Sequence, residues 1–213
     1  LGVAHGVPGV IAMLGRIAAA DVDARTKKRA LSLLERAVEW LLAQELPRSS
    51  EGCFAVAAGS PREPARLAWC YGDPGIAATL FVAARATRNR VWERAAMRIA
   101  LRAATRPADT AGVVDAGLCH GAAGVAHIFH RLFLATGEER LAEAARFWFA
   151  RTLAMRRMGR GFAGFRVRVP PTMNKRGWLT EPGFLTGAAG ITLALIAATT
   201  DADPTWDRTL LLS

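Results

Sequence analysis

GLCHGAAGV, residues 117–125, is one of four versions of the same short pattern in this chain. HGVPGV begins at His5, YGDPGI at Tyr71, HGAAGV at His120 and TGAAGI at Thr186. The first glycines, Gly6, Gly72, Gly121 and Gly187, stand 66, 49 and 66 residues apart. A motif that returns at long intervals marks a repeat architecture. Each copy leads into an apolar, alanine-rich stretch: 10–20, 76–86, 125–135 and 191–199. Apolar nearly all round, these predict helices buried on most sides. Stretches 27–46, 91–104 and 138–155 instead set apolar residues at helical spacing with arginine and glutamate between them. They predict half-exposed helices. An inner helix, a turn and an outer helix, repeated, imply two concentric layers: an all-α fold of the α/α toroid class.

The paired glycines let the backbone turn sharply and lie close to its neighbour at the start of each inner helix. The residue before each first glycine then falls at the rim: His5, Tyr71, His120 or Thr186. Strands are expected to be scarce. Residues 160–184, rich in Gly, Pro and Trp, read as a long loop with a short hairpin around 165–169, and 47–66 as a second loop.

Register singles out three side chains. Cys70 lies two positions before Gly72, and Cys119 two positions before Gly121 with His120 beside it. Neighbouring repeats of a toroid bring equivalent positions together, so two thiolates and an imidazole can converge from distant sequence. A Cys₂His set with one open position is a catalytic zinc site rather than a closed structural one. The plain alternative, that each cysteine is a small buried hydrophobe, does not account for the shared register or for the adjacent histidine. His5 follows the same rim logic as a fourth ligand, an acid/base or a satisfied buried histidine. His127 and His130 fall on or just after the inner helix and read as packing or surface residues. Cys53 has no partner at the right register and reads as incidental.

Composition bounds the function. Of 213 residues 52% are apolar, enough for a real core, and three cysteines make no disulfide framework. The net charge is +10, with Lys27, Lys28 and Lys175 the only lysines among 28 basic residues. Such an Ala/Arg-rich chain reflects compositional bias, with a docking surface for an acidic partner as the alternative. No zinc-finger spacing, aromatic-glycine box or lysine-rich arm points to nucleic acid. Neither a signal peptide nor an apolar run long enough to span a bilayer is evident, so a cytoplasmic setting is expected. An α/α-barrel glycan enzyme would want paired rim carboxylates; Asp73 alone sits in a repeat motif, with Asp115 near another.

AWCYGDPGI (68–76), GLCHGAAGV (117–125) and GFLTGAAGI (183–191) resemble signature segments of the lanthionine synthetase C-like proteins, and so do LGVAHGVPGV (1–10) and the ending PTWDRTLLL (204–212), which is similar to a terminal helix of such cyclases. The resemblance runs the length of the chain, 1–213, read as the C-terminal part of such a domain. Four motif copies are too few to close a ring, so further hairpins are expected before Leu1, together with an acidic partner for the histidine. The resemblance implies a zinc enzyme that adds cysteine thiols of a dehydrated precursor peptide, leader and core together, to dehydroalanine or dehydrobutyrine. The family's zinc ligands fall on Cys70, Cys119 and His120, its acid/base histidine on His5, and the tyrosine beside the first ligand on Tyr71. A dehydratase and a transporter are implied as further partners. The nearest alternatives are a relative adding another thiol such as glutathione, and a non-catalytic peptide-binding scaffold.

Overall fold

The computed structural model describes residues 1–59, 63–170, 172–173 and 177–213. The described residues are mostly helical and fall into two compact units, Leu1–Arg106 with Thr205–Ser213, and Pro107–Pro204. Parts of both expected loops, 60–62 in one and 171 and 174–176 in the other, lie outside the described residues. No described helix is long and apolar enough to cross a membrane.

In the first unit α1 (Val7–Ala19) packs on α2 (Ala24–Leu42) and on α3 (Asp73–Thr87), and α3 pairs with α4 (Arg90–Ala104). The inner helix α3 is buried nearly all round, from Asp73 through Leu80 and Phe81 to Ala84. The outer helices bury one stripe only: Ala30, Leu34, Val38 and Leu41 on α2, and Ala96, Ile99, Ala100 and Ala103 on α4. That division is the one expected of a two-layer hairpin. Side-chain caps start the outer helices. Asp23 accepts the Thr26 N–H at 2.9 Å, and Asn89 accepts those of Val91 and Trp92. The C-terminal segment forms a short 3-10 helix, Thr205–Leu210, rather than an α-helix. Leu210 anchors it by accepting the Trp69 indole N–H at 2.8 Å.

In the second unit α5 (Ala122–Thr136) pairs with α6 (Glu139–Ala154) and touches α7 (Ala188–Thr199). A two-residue ladder joins β1 (Val167–Arg168) to β2 (Trp178–Leu179), antiparallel, Val167 opposite Leu179. The expected hairpin is therefore longer than 165–169, because its second strand lies at Trp178. The Arg166 and Arg168 guanidinium groups stack over the Trp178 ring, 5.5 and 5.6 Å from its centre, which favours this pairing.

All four inner helices begin three residues earlier than the apolar pattern predicts, because the motif is itself the first turn. Gly6, Gly72, Gly121 and Gly187 are the N-caps of α1, α3, α5 and α7. The second glycine is needed for room rather than for a left-handed backbone. A Cβ on Gly124 would overlap the carbonyl oxygen of Leu118, and Gly9, Gly75 and Gly190 stand in the same relation to Val3, Trp69 and Phe184. Backbone cannot yield as a flexible side chain can. Gly124→Ala is therefore expected to destabilise the protein by about 3 kcal/mol, the upper end of overpacking costs. Urea unfolding measures it, and a loss below about 1 kcal/mol would contradict the packing argument.

Asp73 ties a loop to this framework. Only 1% exposed, its carboxylate accepts the backbone N–H groups of Cys53 at 2.7 Å and Phe54 at 3.1 Å. Burial pushes its pKa up to about 6, against the pull of those two N–H groups and of Arg106 and Arg102. A raised folded pKa means that the fold prefers the protonated form. The stabilisation from this group is complete below its ordinary value of 3.8 and is lost as the pH rises through about 6. Stability of the wild type relative to Asp73→Asn is thus expected to increase as the pH falls from about 7 to about 4.5. Paired urea titrations measure the difference, and a pH-independent gap would contradict the assignment.

Candidate metal centre

Cys119 and His120 stand immediately before Gly121, the N-cap of α5. Their turn is fixed through its backbone. The Cys119 N–H donates to Leu185 at 2.7 Å, Gly121 to the carbonyl of Gly117 at 3.0 Å and Ala122 to that of Asp115 at 2.9 Å. Cys119 and His120 are both half-buried, so a ligand can reach them. Asp115 lies beneath the turn and is 2% exposed. Its Oδ1 accepts the Gly117 N–H at 3.1 Å, and its Oδ2 accepts the Arg168 N–H at 3.0 Å. The same Oδ2 lies 3.7 Å from Nε2 of His120.

Cys70, Tyr71 and His5 form a corresponding group in the first unit. Cys70 is 8% exposed and precedes Gly72, the N-cap of α3. The Ala4 N–H donates to the Cys70 carbonyl at 3.4 Å, which sets the His5 turn against the Cys70 turn. His5 is exposed, and its ring centre lies 6.1 Å from that of half-buried Tyr71, the planes tilted by 38°. The imidazole therefore meets solvent on one side and an aromatic ring on the other.

The remaining residues singled out by the sequence lie elsewhere. Cys53 is fully buried, and burial, reinforced by the negative charge of Asp73, pushes its thiol up to about 12. It stays protonated and is no ligand at neutral pH. His127 is fully buried on α5. His130 is half-buried, and burial lowers its pKa, helped by His127 and Arg131. Both pack within the second unit. Asp73 and Asp115 accept backbone N–H groups, the task of loop clamps. Sequence reasoning placed Asp115 near a motif and missed its position under His120. The available signal was its offset: Asp115 lies four residues before Cys119, and Glu181 four residues before Leu185, the equivalent position of the next repeat.

The family model described as "Lanthionine synthetase C-like protein" matches residues 1–211. A solved structure of nisin cyclase superposes on the whole chain with a TM-score of 0.71 at 21% identity. The chain covers 50% of the length of that structure. Likeness at this identity speaks for the fold, that of helical hairpins of the α/α toroid class, as the repeat pattern predicts.

Proposed function

The chain belongs to the lanthionine synthetase C-like family, and from that premise we propose that it serves a zinc-dependent cyclase forming thioether rings in a dehydrated peptide. One observation carries the reading. Cys119 and His120 each offer a ligand atom at the turn before α5, and Cys70 offers one at the equivalent turn before α3. Two soft sulfurs and one imidazole fit Zn²⁺ and leave a fourth position for a substrate thiol. When bound, zinc supplies thiolate character to that thiol at neutral pH, where a free cysteine with a pKa of about 8.5 is mostly protonated.

The ring-closing step is an addition and needs no oxidant. The substrate sulfur bonds to Cβ of a dehydroalanine or dehydrobutyrine, the double bond is lost, and a proton is delivered to Cα. His5 is the residue for that proton. Histidine is the side chain suited to such a transfer; His5 is exposed to solvent, and the N–H of its neighbour Ala4 donates to the Cys70 carbonyl. Tyr71 borders the His5 ring, the ring centres 6.1 Å apart. The substrate must arrive already dehydrated, so a dehydratase acts before this protein. Three cysteines are too few for a disulfide framework and suit a reducing compartment such as the cytoplasm. Metal analysis tests the ligand set: one zinc per protein is expected, and a protein that binds none after loading would contradict it.

A further inference from the structure

We propose that Asp115 is the positioning residue of the metal centre: its carboxylate receives Nε2–H of His120 and thereby presents Nδ1 to the metal. The inference rests on the zinc reading above. A carboxylate only 2% exposed carries a large desolvation cost unless its oxygens are occupied. Oδ1 is accounted for by the Gly117 N–H, a bond that closes the turn. Oδ2 has the Arg168 N–H from β1 and faces Nε2 of His120 at 3.7 Å. That gap exceeds the about 3.0 Å of an N–H···O bond, so the proposal requires the His120 ring to turn toward the carboxylate when the metal binds. Gly121 leaves the space in which the carboxylate sits, since a Cβ there would stand 2.5 Å from Oδ1.

The next repeat separates turn closure from this second task. Glu181 occupies the position equivalent to Asp115, and its Oε1 accepts the Gly183 N–H at 2.8 Å, as Oδ1 of Asp115 accepts that of Gly117. The accompanying backbone bonds recur as well, Gly187 to Gly183 at 3.1 Å and Ala188 to Glu181 at 3.0 Å. Thr186 stands there in place of the histidine, and Glu181 is half-buried rather than buried. An acid at this offset therefore closes the turn in both repeats. Full burial, the contact with β1 and the approach to an imidazole belong to Asp115. Metal-bound histidines commonly donate their other ring N–H to a carboxylate, which fixes tautomer and orientation, and loss of such a partner weakens metal binding by about 10–100-fold. Strand β1 gains a role on the same account, because its Arg168 N–H holds Oδ2 in place.

Two measurements on the zinc-loaded protein test the inference. In ¹⁵N NMR of the histidine rings, His120 is expected to carry its proton on Nε2 and the metal on Nδ1; a metal on Nε2 would overturn the proposal whatever the variants do. Asp115→Asn is expected to bind zinc about 10–100-fold more weakly in chelator competition, with the helical circular dichroism of the metal-free protein retained. Glu181→Ala, which removes only the turn-closing bond of the next repeat, is expected to leave zinc affinity unchanged. Wild-type affinity in Asp115→Asn, or an equal loss in Glu181→Ala, would show that turn closure alone is the acid's task. A wild-type protein without zinc would instead overturn the functional reading on which this inference rests.

Discussion

Cys119→Ala is expected to abolish zinc binding and thioether formation while leaving the helices formed. The substitution removes one of three donors, and two remaining ligands do not hold the metal against water at micromolar concentration. The fold should tolerate it. Cys119 is half-buried, its backbone N–H still reaches Leu185, and alanine removes a single atom at the turn. The helices are held by apolar packing, such as that of Val125, Phe129 and Leu132 on α5. Metal content, thioether formation and circular dichroism, measured together, separate the outcomes. Retained activity would end the ligand assignment, and loss of the helices would make the metal a folding requirement. Cys53→Ala is the natural comparison. That thiol is fully buried in a loop and tied to Asp73 through its backbone, so the variant should keep its zinc.

His5→Asn is expected to keep zinc and slow ring closure by about 10²–10⁴-fold, the usual contribution of a positioned acid or base. Asparagine keeps a polar group of similar reach without the ability to carry a proton near neutrality. His5 is exposed and its ring rests against Tyr71 rather than in a packed interior, so little stability is at stake. Single-turnover rates on a dehydrated peptide, alongside metal analysis, read the effect. Loss of zinc in this variant would make His5 a fourth ligand, and an unchanged rate would remove it from the chemistry.

The repeated motif made the helical order legible, because a glycine pair before an apolar stretch leaves few alternatives. It misplaced the helix starts by three residues, since apolar periodicity cannot register a first turn made of Gly-x-x-Gly. The reason for the glycine at 124 was equally hidden. Room beside the Leu118 carbonyl is a tertiary fact, whereas sequence suggests backbone freedom. The second strand of the hairpin escaped for a related reason: Trp178 pairs with Arg168 through stacking across a long loop, which no local propensity encodes. At the candidate site, Cys70, Cys119 and His120 were marked as proposed ligands by register alone. Asp115 was not, because a buried acid becomes meaningful only once the atoms around it are known. His5 and Tyr71 were marked by their rim positions, while their roles came from resemblance.

The central proposal is that this protein serves thioether ring closure, with Cys70, Cys119 and His120 as the metal ligands. The direct measurement is incubation of the zinc-loaded protein with a dehydrated peptide carrying free cysteines, followed by thiol alkylation and mass spectrometry. Addition of a thiol to a dehydro residue leaves the mass unchanged and removes an alkylatable sulfur. The expected result is a peptide of unaltered mass that takes up fewer alkyl groups, with no such loss on Cys119→Ala. Full alkylation after incubation with the zinc-loaded wild type would contradict the account.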